Sequence, residues 1–244
     1  MVFLNGCGLS AAGWNEVVAA LEGRRVITLD RPGHNGTRAA GPPSLADETR
    51  LLAELLDAEA APVVVVAHSM ASFQAEAIAR LRPERLVGVV LVDPSVPPPC
   101  ARSSAAAGAL ASLAARMVRL GPVRGVAGRM LRAGMRSQTV RPQAIDSPRW
   151  RSLWSGEQAL AAAAAEWLSY RDQAAQLLVL RARQKAPAPA RVAVLEAPPF
   201  NGATAVVSLL SAFRTSRIRR VSGSRHLMML DAPPVIVEEI ERLS

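Results

Sequence analysis

The chain has 244 residues, half of them hydrophobic and a fifth charged, enough to bury one large core and too apolar for a disordered chain. No apolar run reaches the roughly 18 residues of a membrane span. Two cysteines, Cys7 and Cys100, are too few for a disulfide framework. The net charge is +9, but the excess sits in one segment: residues 97–185 hold 14 Arg and Lys against 4 Asp and Glu. No zinc-finger, helix-turn-helix or RNA-binding signature accompanies it, so no nucleic-acid partner is expected.

Taken in chain order, the first strand is predicted at Val2–Asn5 and runs into the Gly-rich stretch Gly6-Cys7-Gly8. Its start has neither a basic n-region nor a long apolar run, so it does not read as a signal peptide, and a cytoplasmic location is expected. A helix is predicted over Gly13–Leu21, a strand over Arg25–Asp30 and a helix over Ser44–Ala60. The turn after the second strand is Asp30-Arg31-Pro32-Gly33-His34-Asn35-Gly36, in which His34 reads as a loop contact.

Val63–Ala67 carries four consecutive valines and predicts a strand buried on both faces, because β-branched side chains suit a covered sheet. His68-Ser69-Met70-Ala71 follows, then a helix over Ser72–Leu81. Ser69 sits at the apex of this strand-to-helix turn with only alanine two residues to either side. Small neighbours permit so sharp a turn, and a helix N-terminus behind the hydroxyl favours negative charge. His68 adjoins the apex with its side chain directed away, and reads as structural.

Further strands are predicted at Leu86–Asp93, Arg191–Glu196 and Ser216–Val221, with a closing helix over 232–244. Strands alternating with helices imply right-handed crossovers and a mostly parallel, doubly wound α/β sheet. Residues 96–189 break the rhythm. They open on Pro97-Pro98-Pro99, close on Ala186-Pro187-Ala188-Pro189, and read as an Ala- and Arg-rich helical insertion containing Trp150, Trp154 and Trp167. The domain reading is therefore a core of 1–95 and 190–244 with a cap of 96–189.

Four segments in order resemble the α/β-hydrolase superfamily: Asn5-Gly6-Cys7-Gly8, the Asp30–Gly36 turn, the Ser69 turn, and Ser222-Gly223-Ser224-Arg225-His226. The resemblance covers nearly all of the chain except the insertion, which corresponds to the superfamily's variable cap. It implies a nucleophile elbow at Ser69, although the common Gly-x-Ser-x-Gly form here has Ala67 and Ala71 in place of both glycines. It implies His226 as the base, and an oxyanion hole from the backbone amides of Cys7 and Met70. Asn5 stands where many relatives have histidine, and its amide is expected to brace the loop. The acid is expected to be Asp93, at the end of the strand before the cap, with Glu196, at the end of the strand after it, or no acid at all as the alternatives. Relatives commonly begin with a β-hairpin that this chain lacks, so the sheet is expected to be N-terminally shortened.

The implied activity is that of a serine esterase or thioesterase acting on a small-molecule acyl substrate, with no metal and no cofactor. The tryptophans and apolar faces of the insertion suggest an apolar acyl pocket, and its arginines an acidic end on the substrate. An acyltransferase, a lyase or a carbon–carbon bond enzyme on the same scaffold is the alternative, as is a non-catalytic binding protein. Oligomeric state is open.

Overall fold

A computed structural model describes residues 1–37 and 41–244. In chain order its elements are β1 (Val2–Leu4), α1 (Asn15–Ala19), β2 (Ile27–Leu29), α2 (Leu45–Ala58), β3 (Val63–His68), α3 (Ser72–Leu81) and β4 (Leu86–Val92). Four helices follow: α4 (Ala105–Val118), α5 (Gly121–Ser137), α6 (Pro148–Ser155) and α7 (Glu157–Arg183). The chain then returns to the sheet with β5 (Ala188–Glu196), α8 (Ala203–Leu210), β6 (Phe213–Arg220), α9 (Met228–Asp231) and α10 (Pro233–Leu243).

The six strands form one parallel sheet in the order β2-β1-β3-β4-β5-β6. Every residue of β3 is buried, as its valine run requires. Because side chains alternate across a strand, Val64 and Val66 join a core with Trp14, Met228, Ile236 and Ile240. Val63, Val65 and Ala67 join another with Leu52, Leu56 and Ile78. Both faces are therefore covered by helices, the arrangement a parallel sheet needs.

The order reverses between β1 and β3, whose onward connections leave in opposite directions. Such a switch point opens a crevice at the carboxyl ends of the strands. Gly6 and Cys7 leave β1 there, and Ser69 leaves β3. Register carries the pattern on: His68 pairs with Val92 and Val92 with Leu195. Ser69, Asp93 and Glu196 thus all emerge at the same end of three neighbouring strands.

Several boundaries differ from the sequence expectations. The Gly13–Leu21 helix is a 3-10 turn at Ala11–Trp14 followed by the short α1. β5 and β6 each begin three residues earlier than predicted, since Ala188 and Phe213 already pair with each other. Helix α8 was not predicted; its run Thr204-Ala205-Val206-Val207 is as compatible with a strand. The insertion's end is secured by Arg80 of α3, which donates to the carbonyls of Gln184, Ala186 and Ala212 at 2.9, 2.9 and 3.1 Å.

Candidate active site

Ser69 and Asp93 are two of the three non-glycine residues with positive φ among the described residues, at 53° and 41°. A left-handed conformation costs roughly 1–2 kcal/mol for such residues and persists only where the surroundings impose it. Here the Ser95 amide donates to the Ser69 carbonyl at 3.1 Å, and the Asp93 amide to the Leu195 carbonyl at 2.8 Å. The two turns are thereby locked to each other and to β5.

His226 lies in the loop between β6 and α9, and its backbone is fixed from three sides. The Leu227 amide donates to the Gln138 carbonyl at 2.7 Å, and the Arg225 amide to Asp231 Oδ2 at 2.8 Å. The His226 carbonyl accepts from His68 Nε2 at 2.8 Å. So held, His226 places Nε2 3.0 Å from Ser69 Oγ and Nδ1 2.5 Å from Asp93 Oδ2. The other Asp93 oxygen accepts the Ala197 amide at 3.0 Å, which fixes the carboxylate's rotation.

Ser69, His226 and Asp93 thus form one hydrogen-bonded chain. Glu196 lies outside it. That side chain is fully buried, accepts from Asn201 Nδ2 at 3.1 Å and lies 3.6 Å from Arg220 Nε. Its contacts close the end of the β5–β6 pair.

The elements around the chain explain the remaining sequence candidates. Asn5 Nδ2 donates to the Leu29 carbonyl at 2.5 Å and so braces β1 against β2. A Cβ on Gly6 would stand 2.5 Å from His68 Nδ1 and 3.0 Å from Ser69 Cβ, so only glycine lets β1 turn this close to the elbow. Burial raises the Cys7 thiol well above its usual range, with nearby Glu166 adding to the shift, so the thiol stays protonated and unreactive. His68 is fully buried, and burial followed by the adjacent His226 hold it well below the ordinary imidazole range. It is therefore neutral and donates from Nε2.

The sequence gives no sign of two features. His34, read as a loop contact, is fully buried, and its Nε2 lies 3.1 Å from Glu166 Oε1. Glu166 itself, from α7, also takes the Gly8 amide at 2.6 Å and stands 3.5 Å from Arg31 Nη1. Nothing local flags a glutamate in an alanine-rich helix, because its partners lie more than 130 residues away.

A cavity of ≈ 780 Å³ opens over Ser69 and His226, a size suited to a small-molecule ligand. Cys7 and Met70 sit at its floor, and Val118, Met130, Leu131, Met135, Leu160 and Trp167 supply apolar walls from α4, α5 and α7. No Arg or Lys lines it among the described residues, so the insertion's positive charge does not face this space. Those arginines pair elsewhere, Arg132 and Arg136 with Asp146, and Arg124 with Glu157. Of the insertion's three tryptophans only Trp167 faces the cavity; Trp150 is buried in the core that also holds Trp14, and Trp154 lies under Arg132. Among the described residues, no cluster of His, Cys, Asp or Glu could hold a metal ion, and no helix is long and apolar enough to cross a membrane.

Comparison with known proteins agrees with this architecture. Cfl2 from Burkholderia cenocepacia superposes with a TM-score of 0.79 at 19% identity, covering 99% of this chain and 86% of that one. A thermophilic esterase from Thermogutta terrifontis gives 0.74 at 20%, covering 99% and 87%. A putative epoxide hydrolase from Pseudomonas aeruginosa gives 0.75 at 16%, covering 99% and 86%. At these identities the likeness concerns the fold. In sequence, a pimeloyl-[acyl-carrier protein] methyl ester esterase of Aromatoleum aromaticum is 37% identical over 101 residues, a match spanning 41% of this chain and 38% of that esterase. The model of the alpha/beta hydrolase family matches residues 1–239, and the chain belongs to that family.

Proposed function

We propose that the protein is a serine hydrolase that cleaves a carboxylic ester of an apolar, uncharged acyl group through an acyl-enzyme. The observation that carries this reading is the chain Ser69 Oγ–His226 Nε2–Asp93 at 3.0 and 2.5 Å, facing an apolar cavity. The partial match to a methyl ester esterase favours an ester over a thioester.

In the proposed reaction Ser69 Oγ attacks the carbonyl carbon and its proton passes to His226 Nε2. Asp93 holds the Nδ1–H tautomer and stabilises the imidazolium that results. The amides of Cys7 and Met70 donate to the oxyanion of the tetrahedral intermediate. His226 then returns the proton to the departing alcohol, leaving an acyl-serine. Water, deprotonated by His226, attacks this acyl group, and the imidazolium returns the proton to Ser69 Oγ as the acid leaves. The apolar walls hold the acyl chain and exclude bulk water, which strengthens each of these electrostatic contacts.

A fluorophosphonate probe with peptide mass spectrometry tests the reading. Labelling of Ser69 in the wild type, lost in Ser69→Ala and suppressed in His226→Ala, supports it. A folded wild type that neither labels nor releases p-nitrophenol from p-nitrophenyl butyrate or octanoate refutes it.

A further inference from the structure

Helix α7 has two relations to the reacting centre. One side lines the cavity with Leu160, Ala163, Ala164 and Trp167. From the same stretch Glu166 enters the interior, where its side chain is only 2% exposed. A carboxylate taken so far from water is costly unless each lone pair finds a donor. Glu166 finds three: the Gly8 amide at 2.6 Å, His34 Nε2 at 3.1 Å and Arg31 Nη1 at 3.5 Å. Burial opposes its ionisation, but Arg31, His34 and the Gly8 amide together hold the carboxyl below its usual range, so it is charged.

The first of these contacts lies beside the chemistry. Gly8 has φ +68°, a conformation glycine adopts freely, and its amide is aimed at an atom of another segment. The same peptide plane carries the Cys7 carbonyl, so fixing the Gly8 N–H fixes one side of Cys7. On the other side Gly6 is wedged against His68. Cys7, which lines the cavity, is thus held between a steric stop and a charged hydrogen bond.

We propose that Glu166 is a positioning residue: its carboxylate holds the Gly6–Gly8 turn so that the Cys7 amide points at the developing oxyanion. The helical insertion is then part of the catalytic apparatus as well as the wall of the substrate pocket. This inference rests on the serine-hydrolase reading above. An oxyanion donor is worth roughly 10²–10³ in kcat, and a misaimed one loses part of that.

The test compares wild type, Glu166→Gln, Glu166→Asp and Glu157→Gln on p-nitrophenyl octanoate and on a trifluoromethyl ketone of the same chain length. In Glu166→Gln the amide oxygen either stays on Gly8 and Arg31, as an uncharged acceptor with its NH₂ turned to His34, or turns to His34 and loses Gly8, and Asp stops one methylene short of Gly8. Both variants are expected to lose roughly 10- to 100-fold in kcat with KM within about 3-fold. Affinity for the ketone, which binds as a tetrahedral oxyanion adduct, falls in parallel with kcat/KM. Glu157→Gln, at the exposed start of the same helix, keeps wild-type kinetics. Should Glu166→Gln not fold, Glu166→Asp carries the comparison, since it retains the charge that Arg31 and His34 need. Folded Glu166 variants with kcat within about 3-fold of wild type, or with the loss confined to KM, overturn the positioning role alone. A wild type without Ser69 labelling overturns the hydrolase reading and this inference with it.

Discussion

His68 donates from Nε2 to the carbonyl oxygen of His226 at 2.8 Å, and their rings lie 4.6 Å apart. The residue before the elbow serine therefore anchors the loop that carries the proposed base. His68→Phe keeps a ring of similar size and removes the donor. We expect a loss of about 1–3 kcal/mol in urea unfolding at pH 7.5 and a lower kcat, because the His226 carbonyl loses its partner. The depressed pKa of His68 adds a pH signature. The unfolded chain takes up a proton near pH 6.5 that the folded one refuses, so this residue lowers stability as pH falls below 6.5. His68→Phe flattens that part of the profile; an unchanged slope excludes it.

Asp93 and Glu196 leave neighbouring strands, but only Asp93 touches His226. Asp93→Asn keeps the shape and favours the wrong imidazole tautomer. Its kcat is expected to fall by roughly 10⁴-fold without loss of folding. Glu196→Gln is expected to stay within a few-fold of wild type in kcat while losing about 1–3 kcal/mol of stability, since Arg220 loses its buried partner. Steady-state kinetics on the pair decides between them, and equal losses would reject Asp93 as the acid.

Gly134 of α5 lines the cavity, and a Cβ there meets nothing within 4 Å. Gly134→Leu should raise stability by about 1 kcal/mol through helix propensity while filling part of the acyl space. The ratio of kcat/KM for p-nitrophenyl octanoate over p-nitrophenyl acetate is then expected to drop at least tenfold. A ratio unchanged in the variant places the acyl chain elsewhere.

Glu48 packs against Arg31 and Gln74, and burial, opposed by Arg31, raises its carboxyl to about 7. The folded state therefore keeps a proton that the unfolded chain has already released. Stability from this group is greatest below about pH 4.5 and declines through pH 7. Glu48→Gln, neutral throughout, is expected to gain on wild type by about 3 kcal/mol between pH 4.5 and pH 8. Tm measured in a buffer series over that range reads the difference, and parallel curves would rule the shift out.

The positions of the strands and the serine turn were legible because their signals are local. Four valines in Val63–Val66 specify a covered strand wherever they are placed, and the residue that ends such a strand in a sharp turn to a helix is held at the sheet's edge. His226 was legible only through the resemblance, which implies a base in the turn after the last strand. Boundaries were less so: Ala188–Ala190 belongs to β5 only because β6 lies beside it.

The succession of strands and helices along the chain and the serine turn after β3 were determined by the sequence itself, through hydrophobic period and turn composition. Which carboxylate meets His226 was not, because Asp93 and Glu196 both stand at strand ends and the preference for Asp93 came from the resemblance alone. It depends on a register that sets Val92 beside Leu195, and on a turn at Asp93 with φ 41° that swings its carboxylate toward His226. Glu166 depends on tertiary structure more completely still. Its amide partner, Gly8, lies 158 residues away, and no periodicity within α7 separates this buried charge from a solvated one. Only the packing of the insertion over the first loop turns a glutamate among alanines into a hydrogen-bond acceptor beside Cys7.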